Sequence, residues 1–536
     1  MRIRMSENQR KYFCMIFGCI SSLIIILLVF SPQNVDPLNI DWVTNGGGDN
    51  LQHYLGWRHF RNSTWNRYLL FMKNLNFPIG TSVIVTDSNP LFCLIFKLLK
   101  NLIPERFQFN GIWITLSYLL IGCFSSLIGW KITKKISLTI VSVIISILNP
   151  VVLQRALIHD SLTAHWLILA AIYLMLFEGT RWNFVGWALL TFLTLLIHVY
   201  FIPMIAFVLI LQTIRMMIKK RSALLIIVSL AAFVVPLCVG YFILGYSHIL
   251  PQSGSYGELS MNLNAFINPD SIPSLLFPRP IQPLQYEGFN YLGLGLIVLI
   301  IFGMVIGRKE LAIQSTPYML PVIGLILFAV SNEGYFDKHL IYRVELPERL
   351  YSSLSILRSS GRLVWPLYYL FLFVVIYVFA KVINTAAGKR KMLIELLPLL
   401  CIIIQIVDLH GFLLQAAERF RNPTNVLPEL SEEFVSAIPV HTKHLYCSDG
   451  DSKIVDAMSL FAADNHMTFN RSSNAREIEH IYGGDMLEMD KLNCQQIQPE
   501  SVYVYINGVN FPNGIESCEN VVIDEADNYI FISKDK

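Results

Sequence analysis

Charged residues are scarce in this chain of 536 residues. Lys, Arg, Asp and Glu make up 15% of it, against about 25% in soluble globular proteins. Glycine, proline and cysteine occur in ordinary numbers, 30, 24 and 9, which excludes a collagen, a disordered low-complexity chain and a disulfide scaffold. Hydrophobic residues reach 54% and the mean hydropathy is +0.51. This composition argues against a soluble enzyme and predicts a polytopic α-helical membrane protein.

Motifs for nucleotide, zinc, thiol-redox or serine-hydrolase chemistry are also missing. The sequence contains no G-x-x-x-x-G-K-[ST], H-E-x-x-H, C-x-x-C or G-x-S-x-G, so it gives no sign of cytosolic ATP hydrolysis or of those catalytic centres. It also has no internal repeat and no pair of interrupted apolar segments, which weakens a transporter interpretation.

Eleven apolar segments approach the roughly 20 residues that a helix needs to cross a bilayer. They comprise residues 12–30, 111–130, 136–152, 163–177, 183–199, 201–214, 222–244, 290–306, 317–331, 363–382 and 393–411. The first has the form of a signal peptide, but no small-x-small cleavage site follows it, so we interpret it as an uncleaved first helix.

The short basic clusters predict the orientation of these helices. With eleven spans, every cluster falls on the same side, which the positive-inside rule assigns to the cytoplasm. The clusters lie at residues 2–11, 131–135, 181, 215–221, 308–309 and 389–391. The N-terminus is then expected in the cytoplasm and the C-terminal segment outside.

The charge is divided unevenly along the chain. Residues 429–536 contain 19 acidic and 7 basic residues, whereas the whole chain carries a net charge of +3. We therefore predict a basic transmembrane module, residues 1–411, with large outer loops at 32–110, 245–289 and 332–362. An acidic aqueous α/β domain follows at residues 412–536.

The C-terminal segment has the pattern of a small α/β fold. Alternating apolar residues predict strands at 443–447, 466–469, 501–506, 521–524 and 529–533, and helices at 454–463 and 475–482. Cys447, Cys494 and Cys518 are an odd number in an oxidising compartment. These three cysteines allow one disulfide, and its pairing stays open.

The first outer loop carries the strongest acid–base candidate. Asp49 follows three glycines at what reads as a helix N-cap, and His53 lies four residues on, on the same face. A carboxylate beside an imidazole suits proton transfer from a sugar hydroxyl, or a metal. The alternative is structural: Asp49 caps the helix and His53 packs. Later in the loop, residues 90–103 predict an interfacial amphipathic helix.

Two further outer loops concentrate polar groups. The second places Arg155, His159 and Asp160 at the membrane–water boundary, where ionisable residues are functional candidates; the alternative is interfacial anchoring. In the third, tyrosines and acids on a glycine-rich backbone suit carbohydrate recognition as well as they suit an ordinary tight loop. The candidates there are Tyr256, Glu258, Tyr286 and Glu287.

Four arginines lie on the outer side, against the positive-inside trend. Salt bridges to Glu345 and Glu348 would account for Arg343 and Arg349. They would not account for Arg358 and Arg362. Because arginine binds phosphate in a bidentate manner, we expect these two to contact a lipid phosphate or pyrophosphate.

Several runs carry a resemblance to a known class. The chain resembles the GT-C glycosyltransferases and, more closely, an uncharacterised GT-C-like family of bacterial inner-membrane proteins. The runs are residues 48–57 (GDNLQHYLGW), 80–82 with 87–88 (GTS and DS), 255–262 (SYGELSMN), 286–293 (YEGFNYLG) and 358–366 (RSSGRLVWP). The resemblance covers most of the chain.

The resemblance implies transfer of a sugar from a polyprenyl-phosphate donor to a surface glycan or glycolipid, such as O-antigen, on the periplasmic face of the inner membrane. Asp49 matches the catalytic carboxylate of the class and would act as the base, with His53 beside it. Arg358 and Arg362, with Arg155 and His159, would hold the donor phosphate. The class often has a second acid or a metal, so a divalent cation stays open.

Three residues compete for the place of the second acid: Asp87, Asp160 and Glu258. The expected partners are the lipid-linked sugar, the glycan acceptor and the bilayer, without nucleic acid. Two alternatives to the transferase stay open: a flippase or transporter for a lipid-linked sugar, and a polysaccharide polymerase or ligase.

Overall fold

The computed structural model describes residues 5–44, 49–250, 256–424, 427–483, 485–507 and 510–534. They divide into two compact units. The helical unit comprises residues of 1–36, 111–240 and 251–422, and the α/β unit comprises residues of 37–110, 241–250 and 423–536. The sequence-based boundary differs, because it placed loop 32–110 with the helices. Predictions that fall on Gly46–Gly48 and on residues 253–255 lie outside the described residues.

The helical unit is built from apolar helices, and each of the eleven predicted segments overlaps a helix. The longer helices are Glu7–Ile25 (continued by a π-helical turn, Ile26–Phe30), Asn110–Thr133, Ile136–Ile147, Pro150–Ile158, Trp166–Met175, Arg181–Ile197, Phe201–Ile218, Ala223–Ile243, Leu294–Ser315, Met319–Val330, Trp365–Thr385 and Gly388–Arg421. Shorter helical pieces at Pro32–Val35, Asp160–Thr163, Pro283–Gly288, Thr316–Tyr318, Glu348–Ser355 and Ser360–Val364 connect them, with a hairpin of Glu333–Phe336 and His339–Arg343.

Seven helical segments within the described residues are long and apolar enough to cross a membrane, by length and composition: Glu7–Phe30, Asn110–Thr133, Ile136–Ile158, Phe201–Ile218, Ala223–Ile243, Ser360–Thr385 and Gly388–Arg421. Trp166–Met175, Arg181–Ile197 and Met319–Val330 are shorter. Leu294–Ser315 has 22 residues, but it is kinked at Gly307 and charged at 308–310. The structure is therefore that of a helical membrane protein with at least these candidate spans.

Small residues let the helices of this unit approach closely. A Cβ on Gly18 would lie 2.5 Å from the carbonyl oxygen of Gly122, and Ser22 Oγ donates to the Tyr118 carbonyl at 2.8 Å. A Cβ on Gly295 would lie 2.4 Å from the Cys401 carbonyl oxygen. Close backbone contact of this kind is typical of packed membrane helices.

The α/β unit contains one five-stranded sheet. In spatial order its strands are Thr468–Phe469, His444–Cys447, Ser501–Ile506, Tyr529–Lys534 and Val521–Ala526. The first three are parallel, and the last two run antiparallel to their neighbours. The unit's helices are Asp41–Thr44, Asn50–Asn62, Pro90–Leu98, Glu432–Ser436 and Ser452–Asp464, with short 3-10 turns at Tyr246–His248, Met489–Lys491 and Ile515–Ser517, and a two-stranded ribbon of Phe71–Met72 and Thr81–Ser82.

All five predicted strands are confirmed, and so is the helix predicted at 454–463. The helix predicted at 475–482 is wrong, because this segment pairs with other loops instead. Ile478 forms an antiparallel bridge with Ile249, and the Ala475 amide donates to the Val85 carbonyl at 2.7 Å. The disulfide joins Cys494 and Cys518, while Cys447 is a buried free thiol.

Candidate functional site

A buried ionic cluster joins three distant parts of the helical unit. Arg155 Nη2 lies 2.9 Å from Glu287 Oε2, and Arg362 Nη2 lies 2.7 Å from the same oxygen. Arg362 Nε also donates to that oxygen at 2.7 Å. All three side chains are at least nine-tenths buried. We call these three residues the arginine cluster.

Close backbone packing brings the two loops of the arginine cluster together. Glu287 lies within one 3-10 turn and Arg362 within another, each beside a glycine. A Cβ on Gly361 would lie 2.6 Å from the Cα of Gly288, so neither glycine can be replaced without moving the backbone. Asn290 Nδ2 donates to the carbonyls of both glycines, at 2.8 and 2.9 Å. The sequence motifs around residues 288 and 361 therefore serve one structural purpose.

The carboxyl group of Glu287 is ionised within the arginine cluster. Burial raises the pKa of Glu287, but the charges of Arg362 and Arg155 and the hydrogen bond from Arg362 outweigh it and lower that pKa to about 2. Glu287 therefore carries a negative charge at neutral pH. Two guanidinium groups around one carboxylate are an arrangement suited to phosphate, because arginine binds phosphate oxygens in a bidentate manner.

An imidazole pair and a phenol border the arginine cluster. Arg362 lies over the ring of Tyr200, 5.1 Å from its centroid, and the Ser359 amide donates to the Tyr200 hydroxyl at 3.1 Å. The Tyr200 amide donates to His198 Nδ1 at 3.2 Å. The rings of His198 and His159 are 5.4 Å apart.

A second aromatic group packs behind Arg155. The guanidinium lies 5.7 Å from the centroid of the Trp365 ring, which stacks on His165 at 4.6 Å. His165 Nδ1 contacts the Tyr369 hydroxyl at 3.1 Å. These rings fix the orientation of Arg155 from the side of the helices.

In the α/β unit, Asp49 begins the helix Asn50–Asn62, which we call the first-loop helix. Asp49 occupies the N-cap position and is exposed, and its carboxylate does not make the capping hydrogen bond to the described helix. The His53 amide donates to the Asp49 carbonyl at 2.9 Å. His53 is buried, and it and Asp87 have potential ligand atoms within 4.8 Å of each other. Within the α/β unit these are two ligands, and metal sites usually have three or more, so a metal ion stays a prediction.

Buried polar side chains attach the first-loop helix to the helix Ser452–Asp464. Arg58 Nη2 lies 2.6 Å from Asp464 Oδ1, and His59 Nε2 lies 3.0 Å from the Ser459 carbonyl oxygen. Burial lowers the pKa of His59 to about 4. The imidazole is therefore neutral at pH 7, and the position of the helix that begins at Asp49 is fixed by the C-terminal part of the unit.

Residues 19–410 match the model of a domain of unknown function, DUF6311. The chain belongs to the DUF6311 family. No curated protein matches it. The DUF6311 match includes the arginine cluster and the first-loop helix, and it ends before the five-stranded sheet.

The structure brings together part of the predicted site of this DUF6311 protein. Arg155 and Arg362 both contact Glu287, and His159 also contributes to lowering the pKa of that carboxyl group. Glu287, expected at the acceptor, is instead the shared partner of both arginines. Arg358 is half-buried and precedes the turn that carries Arg362.

Other predicted residues have more ordinary surroundings. Tyr256 is buried and donates from its hydroxyl to the Phe328 carbonyl at 3.0 Å. Asp160 is buried, and its backbone carbonyl accepts from Trp113 Nε1 at 3.0 Å. Glu258 and Tyr286 are exposed.

Sequence reasoning missed His198 and Tyr200. His198 lies near the end of the predicted apolar segment 183–199, and Tyr200 lies between that segment and the next. An ionisable residue at the end of a membrane helix was the signal that could have identified His198.

The expected salt bridge of Arg343 to Glu345 or Glu348 is also replaced: Arg343 Nε lies 2.9 Å from Glu333 Oε1.

Proposed function

We propose that this DUF6311 protein is a membrane glycosyltransferase. It would move a sugar from a polyprenyl-phosphate donor to a cell-surface glycan on the periplasmic face. The observation that carries the proposal is the arginine cluster, in which two buried guanidinium groups share one carboxylate oxygen. Arginine is the residue best shaped for phosphate, and two guanidinium groups meet at this position.

The arginine cluster has the properties needed to stabilise a leaving phosphate. Its donors are held in place before the substrate arrives, by Glu287 and by the rings of Tyr200 and Trp365. Fixed donors in a site shielded from water stabilise the negative charge that develops as the sugar–phosphate bond breaks. In this role Glu287 is a positioning residue, whereas Arg155 and Arg362 would contact the phosphate.

Asp49 is the base in this proposal. The acceptor hydroxyl oxygen forms a bond with the anomeric carbon, the bond from that carbon to the phosphate oxygen breaks, and the acceptor proton passes to the Asp49 carboxylate. The exposure of Asp49 at the start of the first-loop helix supports this role, because an acceptor hydroxyl can reach an exposed carboxylate. The metal is left open, and no step requires one.

The proposal includes an orientation. The protein would have eleven spans in a bacterial inner membrane, with a cytoplasmic N-terminus and a periplasmic C-terminal sheet. Every short basic cluster would then lie on the cytoplasmic side. A polyprenyl-phosphate donor needs no nucleotide outside the cell, which agrees with the lack of nucleotide motifs in the sequence.

Variants of Arg362 test the proposal. Transfer of a labelled sugar from polyprenyl phosphate is measured in membranes and normalised to protein level. We expect Arg362→Ala to lose about 10²- to 10³-fold in rate, the usual cost of removing one such donor. Arg362→Lys should recover only part, because a point charge lacks the bidentate fork.

Arg343→Ala is the matched control, because Arg343 also pairs with a glutamate but is half-exposed. It should transfer sugar at the parental rate. Normal transfer by Arg362→Ala would contradict the proposal. Movement of the lipid-linked sugar across the membrane without transfer would instead support a carrier.

A further inference from the structure

A cavity of about 240 Å³ lies within the α/β unit. It is formed at the carboxyl ends of the parallel strands His444–Cys447 and Thr468–Phe469, since the loops that follow each strand line it. The strand His444–Cys447 has Thr468–Phe469 on one side and Ser501–Ile506 on the other. The chain thus leaves the central strand toward one neighbour and returns on the far side. Ligands of open α/β sheets bind outside the carboxyl ends of the strands, where this cavity lies.

The lining of the cavity combines hydroxyl, amide and carboxylate groups with an apolar wall. Ser472 and Asp449 come from the loops after the two strands, and Asp456 comes from the helix Ser452–Asp464. Gln52 comes from the first-loop helix, and Phe469 contributes to the apolar part. Carboxylates and amides bind paired hydroxyl groups, while an apolar wall suits the C–H face of a sugar ring.

The charge of the cavity disfavours an anionic ligand. Its cation, Arg471, is already engaged: Nη1 lies 2.8 Å from Asp449 Oδ1, and Nε donates to the Cys447 carbonyl at 3.2 Å. Asp456 adds a second carboxyl group, whose pKa burial raises to about 6. With two carboxyl groups against one paired guanidinium, a phosphate would meet net repulsion once both acids are ionised.

The volume of the cavity and the residues that line it argue against a nucleotide and against a metal ion. Pockets for drug-sized ligands measure about 300–1,000 Å³, so this cavity is too small for a nucleotide and matches one small ring. Among the described residues that line it, no three His, Cys, Asp or Glu ligand atoms come together as a metal would need.

We propose that this cavity binds one neutral sugar residue of the acceptor glycan. The assignment of this sugar to the acceptor rests on the proposed function. It is made because Gln52 lies on the first-loop helix, which Asp49, the proposed base, precedes. The binding itself depends only on the cavity. The C-terminal sheet then provides acceptor recognition.

Direct binding to the full-length protein in lipid nanodiscs tests the proposal. Saturation-transfer NMR and titration are carried out with methyl glycosides of neutral hexoses and N-acetylhexosamines, with inorganic phosphate as competitor. We expect saturable binding of at least one glycoside, no competition by phosphate, and loss of binding in Ser472→Trp, which fills the cavity.

Two further variants distinguish the loss of the binding site from misfolding of the protein. Asp456→Asn preserves volume and should weaken binding about 10- to 100-fold, the usual effect of losing a hydrogen bond to a charged group. Ser436→Trp adds the same ring at an exposed position of the same unit and should bind like the parent.

The outcomes separate this proposal from the proposed function. Wild-type protein that transfers sugar but binds none of the glycosides would overturn the cavity proposal alone. So would binding that survives both Ser472→Trp and Asp456→Asn, or binding that phosphate displaces. Glycoside binding that both variants reduce, in a protein without transfer activity, would support the sugar site and contradict the glycosyltransferase.

Discussion

Glu287 decides whether two arginines can remain buried side by side. Without its carboxylate, Arg155 and Arg362 would repel each other at the position where they now share one oxygen. Removing one member of a buried ionic pair typically costs about 3–5 kcal/mol of stability. Glu287 therefore allows the two guanidinium groups to remain buried next to each other.

Asp49→Asn tests the carboxylate of Asp49 as the base. Asparagine keeps the size of the side chain and caps as well as aspartate, but it removes the charge and the proton acceptor. A general base contributes about 10²- to 10⁴-fold in rate. We expect Asp49→Asn to be expressed at the parental level and to be nearly inactive in sugar transfer, with Asp49→Ala no more impaired. Retention of most activity by Asp49→Asn would return Asp49 to a structural role and move the search for the base to Asp87, Asp160 or Glu258.

His59 predicts a pH dependence of stability in the α/β unit. Its pKa falls from the usual 6.5 to about 4 because burial disfavours the charged ring. Between these values the unfolded chain binds the proton and the folded one does not. Stability is therefore complete above pH 6.5 and decreases as the pH falls toward 4, by on the order of 3 kcal/mol in full.

His59→Gln keeps a donor toward the Ser459 carbonyl but cannot be protonated. Hydrogen exchange of the amides in the helix Ser452–Asp464 measures the difference between parent and variant at each pH. The carboxyl group of Asp456 is present in both proteins, so its titration cancels. We expect the parent to lose its protection relative to the variant between pH 6.5 and 4. Parallel behaviour of the two proteins across that range would show that His59 is not the cause.

Sequence reasoning identified residues of the arginine cluster as candidates but did not predict which of them contact one another. Arg155 and His159 stood out because ionisable groups are costly at membrane depth, and Arg362 because it opposes the positive-inside trend. Their meeting at Glu287 could not be predicted, since it depends on the packing of Gly288 against Gly361 across 73 residues of chain. Sequence patterns report local chemistry, whereas long-range contacts depend on how helices are arranged.

At the scale of elements, close helix packing depends on glycine. A Cβ on Gly295 would lie 2.4 Å from the Cys401 carbonyl oxygen, which belongs to the backbone of the helix Gly388–Arg421 and cannot rotate away. We expect Gly295→Ala to destabilise the protein by about 1–3 kcal/mol, the usual cost of overpacking. Thermal unfolding in detergent measures this.

Gly324→Ala is the matched control for this prediction. It also lies within an apolar helix, Met319–Val330, but no described atom would lie within 4 Å of its Cβ. Alanine there should leave stability unchanged or raise it by about 0.5–1 kcal/mol, because alanine favours helix more than glycine does. Equal unfolding temperatures for the two variants would contradict the packing argument.

Periodicity predicted most elements correctly, and its failure at 475–482 is instructive. The segment has helical spacing, but the loop at residues 248–250 and Val85 supply its backbone partners. The predicted amphipathic helix at 90–103 also ends early, at Leu98. Lys97, within this helix, is buried and donates to Ser63 Oγ at 2.7 Å.

At the scale of the whole molecule, the division into units differs most from the sequence-based expectation. Residues 37–110 precede most of the membrane helices, yet they pack in one unit with the C-terminal sheet. Arg58 with Asp464 and His59 with Ser459 connect them across some 400 positions. Composition shifts along the chain cannot show such a connection.

Membrane orientation is a prediction at this scale. A reporter that is active only in the periplasm should work when fused after Lys536 and fail when fused after Arg221, because eleven spans would place every short basic cluster in the cytoplasm. Immunoblots of both fusions control for expression. A cytoplasmic signal from the C-terminal fusion would contradict the eleven-span arrangement and, with it, the periplasmic position of Asp49.

The structure of the surface glycan in a deletion strain, beside its parent, tests glycosyl transfer most directly, because the comparison works whichever sugar the protein transfers. We expect the deletion to remove one defined sugar from the glycan, and plasmid-borne wild-type protein to restore it where the Asp49→Asn variant does not. Identical glycans in parent and deletion strains, or full restoration by Asp49→Asn, would contradict a glycosyltransferase that uses Asp49 as its base.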